Sequence, residues 1–200
     1  MFERIIALLL YILLLPVFFI FYMLIKLTSQ GPFLFKQLRV GRNKIPFTIY
    51  KIRTMYAGAE KDQYKFQKIN EASGPVFKIR DDPRFTKIGK WLAHTGLDEL
   101  PQLLHIVKGE MAFVGPRPLF IDEAKKIPKK YGERFSVLPG ITSPWVVKGS
   151  HKLSFDEWMR LDIEYVRRKG IAADVRIALK TLAIILHNLC RRDSEPLRKP

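Results

Sequence analysis

Adjacent carboxylates are the residues of this chain best suited to chemistry, because an Asp-Glu pair can supply a nucleophile, a proton-transfer group or ligands for Mg²⁺. Three such pairs occur, at Asp98-Glu99, Asp122-Glu123 and Asp156-Glu157. The dipeptide alone therefore does not identify a site, and the residues around each pair have to distinguish them.

Local structure accounts for two of the three pairs. Residues 154–157 (SFDE) fit a capping box, with Leu153 and Trp158 placed to form a hydrophobic staple, and this pattern predicts helix initiation. Asp122 and Glu123 lie in a stretch rich in lysine, which predicts an exposed, solvated face. Neither pair requires a catalytic explanation.

The remaining pair, Asp98 and Glu99, follows a predicted helix entry at residues 95–97. In the first turn of a helix, the dipole and the free amides hold a carboxylate ionised, which suits a nucleophile or a metal ligand and equally an ordinary cap. Apolar residues at helical spacing supply a buried face: Leu97, Leu100, Leu103, Leu104 and Val107.

A second feature lies downstream, in Gly115-Pro116-Arg117-Pro118. A glycine and two prolines predict a rigid turn, and this turn would present the planar donor fork of Arg117 to an anion such as phosphate. The carboxylate pair and the arginine together favour chemistry on a phosphorylated substrate.

Composition agrees with anionic partners. The 200 residues carry 35 Lys and Arg against 19 Asp and Glu, a net charge of +16, which favours nucleic acid, an anionic bilayer surface or phosphorylated substrates. The single cysteine excludes an intramolecular disulfide framework, and the four histidines lack the paired spacing of a zinc site. A reducing, cytoplasmic setting fits best.

The elements that must position these residues begin with an uncharged run, Ile5 to Ile25, long enough as one helix to cross a bilayer core of about 30 Å. Pro16 removes a backbone donor in the middle of this run and predicts a kink or break near Leu15. Each half is then too short to span alone. Two geometries follow: a kinked crossing, or a helix-break-helix wedge that enters and leaves by the same face.

Basic residues flank the run on both sides, which mildly favours the wedge with both ends on the cytoplasmic face; they are Arg4, Lys26, Lys36, Arg39, Arg42 and Lys44. The run does not end in a small-residue cleavage site, so we expect it to stay attached. A signal-anchor that crosses once remains the alternative.

Beyond Gly31-Pro32 we expect one compact domain. Residues 46–52 have the composition of a short strand, 57–70 a solvated helix or loop, and 81–84 a turn into a short helix around Ile88 to Leu92. The run from Val175 to Leu189, followed by Arg191 and Arg192, predicts a basic amphipathic helix. This helix packs either on the domain core or in the bilayer interface.

Several stretches resemble the bacterial sugar transferase family, the monotopic phosphoglycosyl transferases, in its minimal form. The central one is LDELPQLLHIVKGEMAFVGPRPL, residues 97–119. Similar stretches continue along nearly the whole chain: GPFLFKQLRVGRN (31–43), FTIYKIRTM (47–55), DDPRFTKIG (81–89), PGIT (139–142) and LDIEYV (161–166).

The resemblance implies an α+β, mostly helical fold with an N-terminal proline-broken re-entrant membrane helix (residues 1–30), a small cytosolic catalytic domain (31–200) and amphipathic interfacial helices. It implies transfer of a sugar-1-phosphate from a UDP-sugar to undecaprenyl or another polyprenol phosphate, with release of UMP, at the cytoplasmic face of the bacterial inner membrane. This would be the first membrane step of glycoconjugate assembly. Anionic membrane lipids are expected partners, nucleic acid is not, and a homodimer is left open.

The same resemblance assigns roles to individual residues. Asp98 corresponds to the covalent nucleophile, and Glu99 completes the centre together with Mg²⁺, so both are expected metal ligands. Substrate- and phosphate-binding roles fall on Lys51, Arg84, Arg117 and Asp162.

The chain departs from the family pattern at several positions. Leu15 precedes the proline where serine is usual, and Gly96 precedes the LDEL motif in place of serine. In residues 138–150, Pro144 displaces the tryptophan to Trp145, and Ser150 replaces the trailing arginine.

The rival interpretation is a membrane-anchored basic adaptor that binds polyanions without catalysis, for which aromatic residues should interleave with Lys and Arg on one exposed stripe.

Overall fold

A computed structural model describes residues 1–149 and 153–190. Ser150, Arg191 and Arg192 lie outside the described residues. The α-helices are α1 (Phe2–Leu13), α2 (Leu15–Thr28), α3 (Lys87–Thr95), α4 (Leu103–Lys108), α5 (Ile121–Lys125), α6 (Pro144–Val147), α7 (Phe155–Arg168) and α8 (Ile171–Cys190). The strands are β1 (Leu34–Val40), β2 (Pro46–Ile52), β3 (Ala112–Val114) and β4 (Gly140–Thr142). Short 3₁₀ segments cover Arg42–Lys44, Ala59–Ile69, Leu97–Gln102 and Lys129–Phe135. The expected mostly helical α+β class is confirmed.

The N-terminal apolar run is broken, as predicted. Helix α1 ends at Leu13 and α2 begins at Leu15, with Pro16 in the first turn of α2 and a bend of 53° between the two axes. Proline cannot donate the helical hydrogen bond, so the chain restarts here. Among the described helices none alone is long and apolar enough to cross a membrane, while the bent pair meets that requirement by length and composition only. Insertion as a re-entrant wedge stays a prediction.

The two N-terminal helices pack against the rest of the chain on one side only. Ala7 of α1 is fully buried with Leu103 and Ile106 of α4, and Ile25 of α2 is buried with Leu92 of α3. Large apolar side chains on other faces are exposed: Phe2, Leu9, Leu13, Phe19 and Leu27. The helices before the predicted boundary at residue 30 therefore share hydrophobic cores with the residues after it, and the division into two domains stays a prediction.

The strand predicted over residues 46–52 is confirmed as β2. It pairs antiparallel with β1, in a register that places Leu34 opposite Ile52 and Phe35 opposite Lys51. Just after β2, the Arg53 guanidinium donates to the backbone carbonyls of Ser29 (3.0 Å) and Gln30, at the end of α2. The hairpin is thus tied directly to the N-terminal helices.

A second, parallel pair joins β3 to β4, with Ala112 opposite Gly140 and Val114 opposite Thr142. Two glycines permit the close approach of the flanking turns. A Cβ at Gly115 would lie 2.5 Å from the Leu138 carbonyl oxygen, and one at Gly140 would lie 2.0 Å from the Gly115 nitrogen. Any side chain at either position would push these turns apart.

The turn at residues 81–84 leads into α3, so the predicted short helix is confirmed and extends from Lys87 to Thr95. Thr86 caps its N-terminus by accepting a hydrogen bond from the Gly89 amide. A Cβ at Gly89 would lie 1.8 Å from the Thr54 carbonyl oxygen, so glycine is needed where α3 crosses the chain after β2. The predicted solvated segment 57–70 is largely a 3₁₀ helix, Ala59–Ile69.

Both C-terminal helices form where the sequence predicted them. Ser154 and Glu157 make the expected capping box at the start of α7. Helix α8 contacts the domain through Asn188, which donates to the His94 carbonyl, and Thr181, which bonds the Thr142 hydroxyl at 2.6 Å. Its leucines Leu179, Leu182 and Leu186 are exposed, and placement of this face in the bilayer interface stays a prediction.

The solvated face predicted at Asp122-Glu123 is wrong for the second residue. Asp122 is exposed, but Glu123 is buried and accepts a hydrogen bond from the Phe120 amide at 3.0 Å. Burial raises the pKa of Glu123, while the Arg39 charge acts against this rise. The carboxylate turns inward because it caps the start of α5 on the Phe120 amide, three residues before it, and tertiary packing covers it there.

Candidate active site

Asp98 and Glu99 lie in the first turn of the 3₁₀ segment Leu97–Gln102. Helix α3 ends at Thr95, Gly96 adopts a left-handed conformation (φ 79°), and the chain re-enters helical geometry at Leu97. The predicted helix entry is therefore confirmed in position, but an α-helix starts only at Leu103. Asp98 is 7% exposed, which is an unusual environment for a carboxylate without a strong partner.

Lys51 supplies that partner from β2. Its ammonium donates to Glu99 Oε1 at 2.5 Å and lies 3.7 Å from Asp98 Oδ2. One cation therefore bridges both carboxylates of the pair. The sequence predicted all three residues at one site, and the structure brings them together.

Arg117 reaches the carboxylate pair from the turn that follows strand β3. Its Nη1 lies 3.8 Å from Glu99 Oε1, and its side chain is 40% exposed, so the guanidinium still has open positions for an anion. The predicted proximity of Arg117 to the carboxylate pair thus holds in the structure.

Four backbone contacts fix the turn that carries Arg117. The Gly115 amide donates to the Thr142 carbonyl at 3.0 Å, and the Gly140 amide donates to the Pro116 carbonyl at 3.1 Å. Arg134 donates to the Arg117 carbonyl at 2.9 Å, and Arg39 donates to the Pro118 carbonyl at 3.1 Å. The guanidinium of Arg117 is therefore presented from a turn whose carbonyls are held by strand β4 and two buried arginines.

Asp162 belongs to this support and not to the exposed part of the site. It is fully buried, and its Oδ2 accepts two hydrogen bonds from Arg134 at 2.8 and 3.1 Å. Through Arg134 it reaches the carbonyl of Arg117. Direct contact between Asp162 and substrate stays a prediction, and the structure gives this residue an internal partner instead.

Arg84 is likewise engaged elsewhere. Its guanidinium makes a bidentate pair with Asp82 at 2.6 and 2.9 Å and donates to the Ala59 carbonyl at 3.0 Å. The rings of Phe66 and Phe77 lie 5.9 and 5.4 Å from its central carbon. The structure does not bring Arg84 into contact with Asp98 or Glu99, and its predicted phosphate contact stays a prediction.

Burial and nearby charges shift the pKa values of the two carboxylates in opposite directions. Burial raises the pKa of Asp98 to about 6; the Lys51 charge opposes this rise and the Glu99 charge adds to it. Although burial acts in the same direction on Glu99, the charges of Lys51 and Arg117 hold the pKa of Glu99 below its ordinary value. Near neutral pH both groups are ionised, and Asp98 is the more basic of the two.

Sequence reasoning missed four residues around this site: Arg39, Lys78, Arg134 and Trp145. Arg39 and Arg134 brace the turn described above, while Lys78 and Trp145 lie beside Arg117. Only Trp145 carried a signal, because Pro144 had displaced it from the family position. It is the second residue of the short helix α6, directly after Pro144.

The carboxylate pair also fits a magnesium ion in the limited way that phosphate enzymes use one. Within residues 1–149 and 153–190, no cluster of three or more His, Cys, Asp or Glu side chains could hold a metal. Mg²⁺ commonly takes only one or two carboxylates from the protein and completes its shell with water and substrate phosphates. Asp98 and Glu99 match that share in number and kind, and magnesium binding stays a prediction.

Comparison with known proteins yields one family model, described as bacterial sugar transferase, which matches residues 1–188. The galactosyl transferase CpsE of Streptococcus agalactiae is 42% identical over 157 residues, 78% of this chain and 35% of CpsE. The exopolysaccharide production protein ExoY of Sinorhizobium fredii is 34% identical over 188 residues, 92% of this chain and 83% of ExoY.

The undecaprenyl-phosphate galactose phosphotransferase of Salmonella typhimurium is 34% identical over 177 residues, 86% of this chain and 36% of that protein. This chain thus spans about a third of the length of the Streptococcus and Salmonella proteins and most of the length of ExoY.

Proposed function

The chain belongs to the bacterial sugar transferase family, and we propose that it transfers a sugar-1-phosphate from a UDP-sugar to undecaprenyl phosphate or a similar polyprenol phosphate. UMP is the second product. The observation that carries this proposal is the buried Asp98-Glu99 pair, with Lys51 bridging both carboxylates and Arg117 beside Glu99. The name of the Salmonella relative, a phosphotransferase acting on undecaprenyl phosphate, supports the choice of acceptor.

In the first half-reaction a carboxylate oxygen of Asp98 attacks the β-phosphorus of the UDP-sugar. A bond forms between this oxygen and phosphorus, the bridging P–O bond to the α-phosphate breaks, and UMP leaves with that electron pair. Asp98 suits the role because burial makes it the more basic carboxylate while it remains largely ionised at neutral pH. The product is an acyl phosphate that carries the sugar.

In the second half-reaction a phosphate oxygen of the polyprenol phosphate attacks the same phosphorus. The acyl P–O bond breaks, Asp98 is regenerated as a carboxylate, and polyprenol-diphosphate-sugar forms. Two displacements replace one direct exchange between a soluble donor and a lipid acceptor. Arg117 and Lys51 stabilise the charge on the transferring phosphoryl oxygens. The positive charge of Lys51 also reduces the repulsion between the carboxylates of Asp98 and Glu99.

Mg²⁺, held by Asp98 and Glu99, would neutralise charge on the diphosphate and on departing UMP. The protein's own contribution is position. The 3₁₀ turn orients Asp98 and Glu99, strand β2 delivers Lys51, and the braced turn delivers Arg117. Glu99, with its lowered pKa, stays ionised and keeps Lys51 in place.

The proposed setting is the cytoplasmic face of the bacterial inner membrane. Exposed apolar side chains on α1 and α2, and on α8, suit contact with lipid, and the net charge of +16 suits anionic headgroups. The rival adaptor function has no use for a buried carboxylate pair bridged by a lysine. It is therefore the weaker proposal.

The decisive experiment omits the lipid acceptor. Purified protein, Mg²⁺ and a panel of UDP-sugars should give UMP and a protein whose intact mass rises by one phosphosugar, and labelled UMP should exchange into UDP-sugar. Asp98→Asn should show none of these three results, because an amide cannot supply the nucleophilic oxygen. The matched control Asp122→Asn changes an exposed aspartate and should retain all three.

A covalent mechanism on Asp98 would be given up if Asp98→Asn released UMP at a near-normal rate. It would also be given up if the wild type transferred sugar phosphate to lipid but exchanged no label without it. The panel itself identifies the sugar, which the residues described above do not specify.

A further inference from the structure

A cavity lies between helix α7 and the 3₁₀ segment Lys129–Phe135, and it shares no lining residue with the Asp98-Glu99 site. Its volume is about 450 Å³, a size typical of sites that bind small molecules. The charged side chains that line it are Lys130, Arg160, Glu164, Arg167 and Arg168. Four cations therefore surround this cavity with one carboxylate among them.

Both walls of the cavity are held in place. The arginines come from one face of α7, where positions 160, 164, 167 and 168 recur at helical spacing. The wall that carries Lys130 is held on α7 by two contacts. The Tyr131 hydroxyl donates to Asp156 at 2.7 Å, and Arg134 donates to Asp162 at 2.8 Å. The spacing of the two walls is therefore set by the fold.

Two of the four cations already have a carboxylate partner. Arg167 donates to Glu133 through Nε at 3.0 Å and Nη2 at 2.8 Å, and Arg168 donates to Glu164 at 3.0 Å. Lys130 and Arg160 differ, because neither forms an ion pair with any acidic residue of the described segments 1–149 and 153–190. The cavity thus keeps two positive charges that no carboxylate of these segments neutralises.

The carboxylates that begin α7 have other partners. Asp156 accepts the hydrogen bond from Tyr131, and Glu157 accepts from the amide and the hydroxyl of Ser154, both at 2.7 Å. Glu157 lies three residues before Arg160, and its charge is committed to the cap of the helix. Lys130 and Arg160 are therefore open to an anion from outside the chain.

The chemistry of the lining favours a phosphate group. A guanidinium presents a planar fork of donors that matches phosphate oxygens, and an ammonium adds a compact charge. A nucleotide fits less well, because its base would need an aromatic ring to stack on. The one aromatic residue of the lining, Tyr131, is only 5% exposed.

The surroundings of the cavity favour a lipid as the source of this phosphate. Large apolar side chains are exposed along α8, at Ile171, Val175, Leu179, Leu182 and Leu186. The first of them, Ile171, follows Arg168 by three residues, about 10 Å along an extended chain. A headgroup in the cavity would therefore have an apolar surface within reach of its acyl chains.

We propose that this cavity binds the phosphate of an anionic phospholipid, with Lys130 and Arg160 as its main contacts. The inference rests on the membrane setting of the proposed function and adds a lipid site separate from both substrates. The bound phosphate would bridge α7 and the segment that carries Lys130. These are the two elements whose Arg134–Asp162 pair supports the turn of Arg117.

The test uses the full chain in a neutral detergent and measures lipid binding by calorimetry. Dihexanoyl phosphatidylglycerol is the anionic probe, and dihexanoyl phosphatidylcholine, which has no net charge, is the reference lipid. The test variant combines Lys130→Gln with Arg160→Gln. The matched control combines Lys61→Gln with Lys68→Gln, two exposed lysines of the segment Ala59–Ile69, and has the same net charge. Melting temperatures would establish that both variants are folded.

The wild type and the control should bind phosphatidylglycerol with the same Kd. In the test variant this Kd should rise by about tenfold or more, the loss expected from hydrogen bonds between charged groups. Phosphatidylcholine should bind more weakly than phosphatidylglycerol to the wild type. Equal Kd values in the test variant and the control, or no preference for phosphatidylglycerol, would overturn the proposal.

A variant of the opposite sign strengthens the test. Glu164→Gln removes the carboxylate that pairs with Arg168, so a third cation becomes available to the headgroup. Its Kd for phosphatidylglycerol should fall below that of the wild type. A Kd that rises instead would contradict a phosphate in this cavity.

Inorganic phosphate separates a lipid from a soluble anion. Phosphate should bind the wild type more weakly than phosphatidylglycerol, because it lacks the acyl chains that contact α8. If phosphate binds as tightly as the lipid and the test variant loses both equally, the cavity selects a soluble anion and the lipid proposal falls.

These binding measurements need no turnover, so they are independent of the sugar-phosphate assay. If no UDP-sugar of the panel releases UMP and the test variant still loses affinity for phosphatidylglycerol, the proposed function fails and the lipid site stands. If UMP is released normally and the test variant binds the lipid like the control, the lipid site alone fails.

Discussion

Arg134 donates a hydrogen bond to the backbone carbonyl of Arg117 at 2.9 Å, so one buried arginine supports the turn that presents another to the site. Arg134 is held in turn by Asp162, which has no exposed surface. Asp162, the acidic residue of the LDIEYV stretch, therefore supports the turn that carries Arg117 through two contacts.

We expect Asp162→Asn to lower the free energy of unfolding by about 3 kcal/mol, because it leaves the buried guanidinium of Arg134 without its counter-charge. The KM for UDP-sugar should rise as the Arg117 turn loosens. Thermal unfolding and steady-state kinetics would measure both effects. The exposed Asp122→Asn should stay within about 0.5 kcal/mol of the wild type. Normal stability in Asp162→Asn would contradict the role assigned to the ion pair.

The raised pKa of Asp98 predicts a pH dependence of stability that can be measured in EDTA. A folded-state pKa of about 6, above the ordinary 3.8, means that folding favours the protonated carboxyl. This contribution is complete below about pH 4 and is lost as the pH rises through 6. Asp98→Asn cannot titrate, so relative to the wild type it should gain at most about 3 kcal/mol between pH 4 and pH 7. A constant difference over that range would show that Asp98 is not perturbed.

His105 should be a structural residue of the site. It is fully buried, its Nε2 accepts a hydrogen bond from the Tyr50 amide at 3.1 Å, and its Nδ1 lies 2.6 Å from Glu110 Oε2. Because Nε2 accepts, the neutral ring carries its proton on Nδ1. His105→Leu should cost about 1–3 kcal/mol by leaving the Tyr50 amide unpaired, and activity should fall because Lys51 is the next residue. The exposed His187→Leu is the matched control and should change neither stability nor rate.

The break at Pro16 predicts a topology. In a Cys190→Ser background, which removes the only native cysteine, cysteines introduced at Phe2 and Ser29 should both resist an impermeant reagent added from the periplasmic side. Pro16→Leu restores the missing backbone donor and should shift part of the population toward a single crossing. Position 2 would then become labelled. Labelling of position 2 in the protein with native Pro16 would establish a crossing helix and exclude the wedge.

The sequence predicted local structure correctly wherever a single segment determines its own conformation. Pro16 broke the N-terminal helix, residues 46–52 formed a strand, and Ser154 with Glu157 started α7. The failure at Glu123 has the opposite cause: its carboxylate caps α5 on the Phe120 amide, but its burial comes from distant parts of the chain that pack over it.

The residues that support the site could not be predicted from the sequence for the same reason, because they depend on contacts between distant segments. Arg134 and Asp162 are 28 residues apart, and nothing in either stretch identifies the partner. Lys78 lies 5.9 Å from the ring of Trp145, and that ring stacks on Trp158 of a later helix, α7. Reactive groups could be predicted from their own motifs, whereas the residues that hold them depend on which distant elements pack together.

The hydrogen bonds of Arg53 to the end of α2 fix the distance between this helix and the strand that carries Lys51. Arg53 is two residues from Lys51, about 7 Å along an extended chain, and Lys51 contacts Asp98 and Glu99, so the carboxylate pair lies at a nearly constant distance from the last turn of α2. In the membrane arrangement we propose, a polyprenol chain can then remain among the acyl chains while only its phosphate rises to the site. In that proposed arrangement, one extra helical turn in α2 would move the carboxylate pair by about 5.4 Å relative to the lipid phosphate.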